Sequence, residues 1–249
     1  MNSQLQTQIE TRLNKLYKEA PSRTIVGFEN MPPLKGIIPK ETIIDNGAAY
    51  YHIKNNDYIY EFIDILNNKN ITDINTILNN IYTFINYYFG KNGNENKRQE
   101  IFNRNSFDKN YPDISVLRKQ NAALCSERAA MAQNLFSFFG IESYYITGEA
   151  NVLGEQSSHA FNIINYNGKI MLYDASLDVE LYDEEEKIVG YRHYLQEISS
   201  NQLTKGIYYG SQFELTDYCF YMSKDKKWNK KAFGKRNYAS GALEIGFDR

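Results

Sequence analysis

Along the first half of the chain, apolar positions recur at intervals of three and four residues; along the second half they alternate or run together in short bursts. The first pattern is that of helices with one buried stripe, the second that of strands. Leu5, Ile9, Leu13 and Leu16 predict an amphipathic helix over residues 3 to 20. Residues 21 to 56 hold four of the five prolines and read as irregular structure. Tyr58, Ile59, Phe62, Ile63 and Leu66 mark a second helix. Thr72 is placed to cap a third, whose stripe is Ile74, Ile77, Leu78, Ile81, Phe84 and Ile85 and which ends at Gly90. GKNGNENKRQ, residues 90 to 99, reads as a polar loop, and the stretch from Ile101 to Gln120, broken by Pro112, has no clear period. In NAALCSERAAMAQNLFSFFG, residues 121 to 140, Ala129, Ala132, Leu135, Phe136 and Phe139 form one stripe, and Gly140 suits the left-handed position after a helix. The period then changes: ESYYITGEA, HAFNIINY, KIMLYDAS and DYCFYMS are short β-rich segments between turn residues. Helices followed by strands predict an α+β fold with an antiparallel sheet, the helix after Cys125 packing on it.

Composition narrows the function classes. With 28 Lys+Arg against 30 Asp+Glu the formal net charge is −2, so no nucleic-acid partner is expected. No apolar run reaches the ~18 residues of a membrane span, and the polar N-terminus lacks the apolar heart of a secretory signal. A cytoplasmic protein is expected, or one exported without a cleavable signal, as a secreted effector would be. Two cysteines cannot build a disulfide framework or a four-thiolate zinc site. Two charged runs remain: acidic DVELYDEEEK, 178 to 187, reads as a hairpin tip or loop, and basic KDKKWNKKAFGKR, 224 to 236, holds the sole tryptophan, Trp228, and reads as a solvated face or tail.

Chemistry concentrates around one cysteine. Cys125 falls where its helix begins, and unpaired N–H groups at a helix start favour the thiolate, the nucleophilic form. Cys219, in an alternating apolar strand, reads as a buried, inert thiol. A thiolate needs a base and the base an orienting group. Of three histidines, His52 and His193 have no chemical context and read as structural or surface residues. His159 opens a strand that turns at Asn167-Gly168, the strongest short signal for a two-residue hairpin. With Tyr166 opposite Lys169, Phe161 falls opposite Asp174 and His159 opposite Ser176. His159 and Asp174 are then diagonal neighbours on one face, roughly 7–8 Å apart at the backbone, and can hydrogen-bond. An Asp accepting from Nδ1–H would leave Nε2 to act on Cys125. A one-residue slip would separate them. Gln120, five residues upstream, is a candidate oxyanion donor beside the Cys125 N–H.

The run LCSERAAMAQNLFSFFGIESYYITG, then HAFNII at His159, then LYDAS at Asp174, resembles the transglutaminase-like superfamily over about residues 72 to 178. Ala123 stands where many members have Gly, and Asn121-Ala122-Ala123 replaces the Arg-Gly-Gly of arylamine acetyltransferases. Glu127 matches the family's acidic position and is expected to serve capping or packing. The resemblance implies a papain-like Cys-His-Asp enzyme carrying Cys125, His159 and Asp174, with no cofactor and no metal. Three parts are expected along the chain: an N-terminal extension, 1–56, packed on the core; a transglutaminase-like catalytic core, 57–222; and a basic C-terminal segment, 223–249. The expected activity is amide acyl transfer through a thioester, with hydrolysis of a protein or peptide substrate by a protease or peptidase as the first reading. A transglutaminase, glutamine deamidase or amide synthase is the alternative, and a non-catalytic binding module the further one.

Overall fold

The computed structural model describes residues 3–20, 25–27, 34–45, 50–69, 71, 73–91, 93–106, 110–152, 155–199, 207–209 and 216–220. Five helices are present among them: α1 (Ser3–Glu19), α2 (Asp57–Asn68), α3 (Ile74–Phe89), α4 (Glu95–Arg104) and α5 (Cys125–Phe139), with a 3-10 turn at Ile114–Leu117. The strands are β1 (Ile25–Gly27), β2 (Leu34–Lys35), β3 (Ile43–Asp45), β4 (Tyr50–Tyr51), β5 (Glu142–Val152), β6 (Glu155–Tyr166), β7 (Lys169–Tyr182), β8 (Ile188–Glu197), β9 (Ile207–Tyr209) and β10 (Thr216–Phe220). The large sheet runs β8-β7-β6-β5-β10-β9, with β2 also on β5, and all its pairs are antiparallel. The α+β class with an antiparallel sheet is the architecture observed.

α5 lies against β5, β6 and β7, with α3 and α1 beside it. Its expected single stripe understates its burial: every residue from Ser126 to Phe138 is buried, whereas Phe139 is only half-buried. A helix enclosed on all sides must satisfy its polar groups internally. Gln133 Nε2 donates to the carbonyls of Gly36 at 2.7 Å and Ser143 at 3.0 Å. Asn134 Oδ1 accepts the Ile38 N–H at 2.8 Å, and its amide donates to the Tyr58 hydroxyl at 2.9 Å. Gly140, at φ 76°, ends the helix in the left-handed conformation as expected, and the Ile141 N–H returns to the Phe136 carbonyl.

Alternate residues of the central strands go to different sides. Tyr145, Ala160, Ile164, Met171 and Tyr173 join the main core with α5, whereas Ile146, Phe161, Ile163 and Leu172 form a second, smaller cluster.

Three expectations need correction. The described residues between 21 and 56 include four short strands, too brief to leave a period, and Leu34, Ile38, Ile44, Tyr51 and Ile53 sit fully buried in the main core. The polar stretch 90 to 99 gives rise to α4, because Asn94 takes an extended N-cap conformation and accepts the Lys97 N–H at 2.9 Å. α3 is capped by Asp73, whose carboxylate accepts the Thr76 N–H; Thr72 lies outside the described residues. The acidic run does form a hairpin tip, between β7 and β8. Cys219 pairs with Glu149 in register, its side chain being outside the described set, as are residues 223–249.

Asn134→Leu would leave the Ile38 N–H buried without its acceptor. The expected loss of unfolding free energy in urea is about 1–3 kcal/mol. An unchanged midpoint would mean that residues 34–38 do not depend on α5.

Candidate functional site

Cys125 is the first residue of α5 and is partly exposed. What fixes the helix start is a group of buried charges. Glu127 accepts the N–H of the capping residue Leu124 at 2.8 Å and receives Arg98 Nε at 2.9 Å, with both side chains at 2% exposure or less. Ser126 Oγ donates to the same carboxylate at 3.0 Å and accepts from the Tyr51 hydroxyl at 3.1 Å. Glu127 thus caps and packs, as its position suggested. Arg128 pins the approach to the helix by donating to the carbonyls of Ala123, Gly90 and Lys91 and to Asn86 Oδ1. The turn before Cys125 is left-handed at Lys119 and Asn121, whose N–H groups bond the carbonyls of Tyr88 and Phe89 at the end of α3. Gly93 lies flat on this turn: a Cβ there would come within 2.7 Å of the Ala123 carbonyl oxygen.

His159 and Asp174 come from β6 and β7. The hairpin keeps the expected register from Tyr166↔Lys169 to Asn162↔Tyr173, around a turn in which Asn167 and Gly168 both have positive φ. Beyond that point β7 breaks register with β8 between Asp174 and Asp178. The extra residues form a bulge. Ser176, inside it, turns back on Asp174: its N–H and hydroxyl both donate to Asp174 Oδ1, at 2.8 and 2.6 Å. The other carboxylate oxygen, Oδ2, accepts from His159 Nε2 at 2.7 Å. Opposite His159 on β5 stands Gly148, with no side chain to crowd the ring, and Phe161 stacks beside it with centroids 6.1 Å apart.

The ring nitrogens are reversed from expectation. Asp174 engages Nε2, the two residues lying beyond the paired stretch of β6 and β7. Nδ1 is then the ring nitrogen not taken by Asp174, and Cys125 is near enough to the imidazole to act on its charge. The sulfur belongs to the first residue of the helix rather than to its body.

Electrostatics follow from this enclosure. Burial works against the charged imidazole, but the Asp174 carboxylate, the Cys125 sulfur and hydrogen bonds to both outweigh it, so the His159 pKa is raised well above 6.5. Burial pushes the Asp174 carboxyl up, but the His159 charge and the hydrogen bonds from His159 and Ser176 hold it below 3.8. Burial first, and then the neighbouring Cys125 and Glu127, keep the fully buried Tyr145 phenol protonated well above its usual range.

The other site expectations fall elsewhere. Gln120 is half-buried at the end of the 3-10 turn, and its carbonyl accepts from Lys97 Nζ at 2.5 Å. His52 is buried against the Thr42 carbonyl at 3.1 Å. His193 is fully buried, stacks on Tyr173 with centroids 4.5 Å apart, and burial pushes its pKa down to about 3. Both are structural. Sequence reasoning missed the roles of Ser176, Arg98, Tyr51 and Arg128. Only Ser176 left a signal, sharing its strand face with Asp174. Among the described residues no group of three or more His, Cys, Asp or Glu side chains could hold a metal ion. No protein-family model matches the chain, and no curated protein matches it either.

The stabilising contribution of the pair has a defined pH window. Asp174 contributes fully above 3.8 and loses this as pH falls through its lowered folded value; His159 contributes fully below 6.5 and loses this as pH rises through its raised one. In an NMR titration His159 should therefore hold its proton beyond pH 6.5, and in Asp174→Asn it should release it at least one unit lower. Identical titration in both proteins would show that the hydrogen bond carries no charge coupling.

Proposed function

We propose that the chain is a cysteine-dependent amide acyl-transfer enzyme with a papain-like, transglutaminase-like core, acting as a hydrolase on a protein or peptide. The observation that carries this reading is the His159–Asp174 hydrogen bond of 2.7 Å, with Asp174 buried and His159 half-buried, in a chain whose Cys125 begins a helix. An ion pair with both pKa values moved toward the charged forms suits an imidazolium that must persist at neutral pH. The chain order, nucleophile helix first, then the His strand, then the Asp strand, supports the same reading.

In the proposed reaction the Cys125 thiolate attacks the amide carbonyl carbon. The oxyanion is met by the Cys125 N–H, which lies in the first helical turn where the helix supplies no acceptor. The C–N bond breaks as His159 gives its proton to the leaving amine, and a thioester remains on Cys125. His159, now neutral, takes a proton from water as the water oxygen attacks the thioester; the acid leaves and the thiolate–imidazolium pair is restored. Asp174 orients the ring and supports its charge throughout. Gln120 is the proposed second oxyanion donor.

The test is to incubate the protein with a peptide library, capture the adduct on Cys125 by intact mass, and then add water alone or a panel of amines. Decay in water alone, with Cys125→Ala forming no adduct and Asp174→Ala slowing its formation by on the order of 10²-fold or more, is expected. Decay only with amine would replace hydrolysis by amine transfer. No adduct with any amide would leave the site without acyl chemistry.

A further inference from the structure

The strand that bears Asp174 continues well past the site. β7 runs on to Tyr182, turns, and returns as β8 from Ile188. The two ends of this hairpin differ. At its root, His193, Tyr194, Leu195 and Gln196 are buried, and α3 packs against β8. At its tip the apolar side chains stand in solvent: Val189 is 63% exposed, Tyr182 55%, Ile188 46%, Tyr191 40% and Leu181 39%. Among the described residues only Tyr50 and Tyr87 are comparable large hydrophobic side chains, so the exposed set is concentrated on one arm. They lie on both faces of the arm, Val189 and Tyr191 on one face of β8 and Ile188 on the other, and clustered exposed apolar side chains mark a contact surface.

Two further features say what it contacts. β8 is the edge strand of the large sheet among the described residues, so its outer side can take another strand. Natural edges are commonly guarded by lysine or proline on the strand itself; Ile188-Val189-Gly190-Tyr191 has neither. The charge around it is acidic on balance: Asp178, Glu180, Asp183, Glu184, Glu185 and Glu186 stand against Lys187, Arg192 and Lys91, whose Nζ lies 4.5 Å over the Tyr191 ring. Lys187 is already bonded to Glu185.

We infer that the tip of the β7–β8 hairpin is a docking edge for a basic, extended segment of a partner protein, which adds as a strand to β8 with apolar side chains on the exposed patch and Lys or Arg against the acidic turn. Charge selects this occupant over the others. An anionic lipid surface would be repelled by the acidic turn, and a second copy of the chain would bring two acidic tips together. The arm leads directly from the bulge that holds Asp174, so a protein held there is tethered next to the proposed site. That last consequence rests on the proposed function; the docking itself does not.

The test uses Cys125→Ala in the full chain, so that binding is read without turnover. The probes are fluorescein-labelled 12-residue peptides of alternating Lys and Val, the Glu-Val counterpart, and a Lys-Val peptide interrupted by proline. Fluorescence anisotropy should show saturable binding of the Lys-Val peptide, at least tenfold weaker binding of the other two, and protection of the 188–191 amides from hydrogen exchange on binding. Val189→Ser/Tyr191→Ser and Glu184→Lys/Glu186→Lys, all at exposed positions, should each weaken binding at least tenfold with the unfolding midpoint unchanged. Equal affinity for the acidic and basic peptides, or binding untouched by the hairpin variants, would overturn the proposal. So would adsorption to phosphatidylglycerol vesicles, or a dimer in sedimentation that the same variants abolish. Peptide docking with no acyl chemistry in the wild type would leave the docking edge standing and remove the enzyme reading.

Discussion

Glu127 carries a charge in a place where water does not reach it, and the position of α5 follows from how that charge is met. An ionised carboxylate inside a protein is tolerated only when its oxygens are fully occupied. Here one oxygen takes the N–H of Leu124 and the other takes Arg98 and Ser126. The first of these bonds decides where the helix begins; the others hold the first turn against α4 and, through Tyr51, against β4. Cys125 therefore cannot rotate away without breaking a buried ion pair, a change that typically costs about 3–5 kcal/mol. Arg128 applies the same constraint from behind, gathering the carbonyls at the end of α3 and of the turn before the cysteine.

His159 is positioned by a different device. A regular ladder would have carried β7 past Asp174 still paired to β8. The bulge breaks that pairing and lets Ser176 fold back, so that one carboxylate oxygen is taken up by two donors from Ser176 and the other is left for His159. Asp174 thereby stays charged although it is buried, and the charge is passed on to the imidazole. The helix start and the bulge are separate solutions to one problem: keeping charge where water is scarce.

How much of this could be read in the sequence depends on the range of each interaction. The Asn167-Gly168 turn is local, so the register from Tyr166↔Lys169 to Asn162↔Tyr173 was legible from two residues and a count, whereas the expected Phe161–Asp174 and His159–Ser176 pairs lie beyond the ladder's end. The helix after Cys125 and its end at Gly140 were legible from a period and a cap. The choice of Nε2 over Nδ1 was not, because it depends on the splay of strands beyond the paired stretch. The bulge leaves no periodic trace. Arg98 pairs with Glu127 across 29 positions, and it lies in a run so rich in Asn and Lys that its pattern is that of a loop, although Asn94 caps α4 there. The short strands of residues 21 to 56 exist only through their partners, as β2 does through Tyr144 and Tyr145 of β5.

The central claim is that Cys125, His159 and Asp174 act as one unit. Its most direct measurement is the rate at which Cys125 is alkylated by iodoacetamide from pH 4 to pH 10, in the wild type and in His159→Ala. A unit predicts alkylation that is fast wherever His159 holds its proton and slows when the imidazole is removed. A rate that climbs only toward pH ~8.5, the same in both proteins, is the profile of an isolated thiol and would contradict the account.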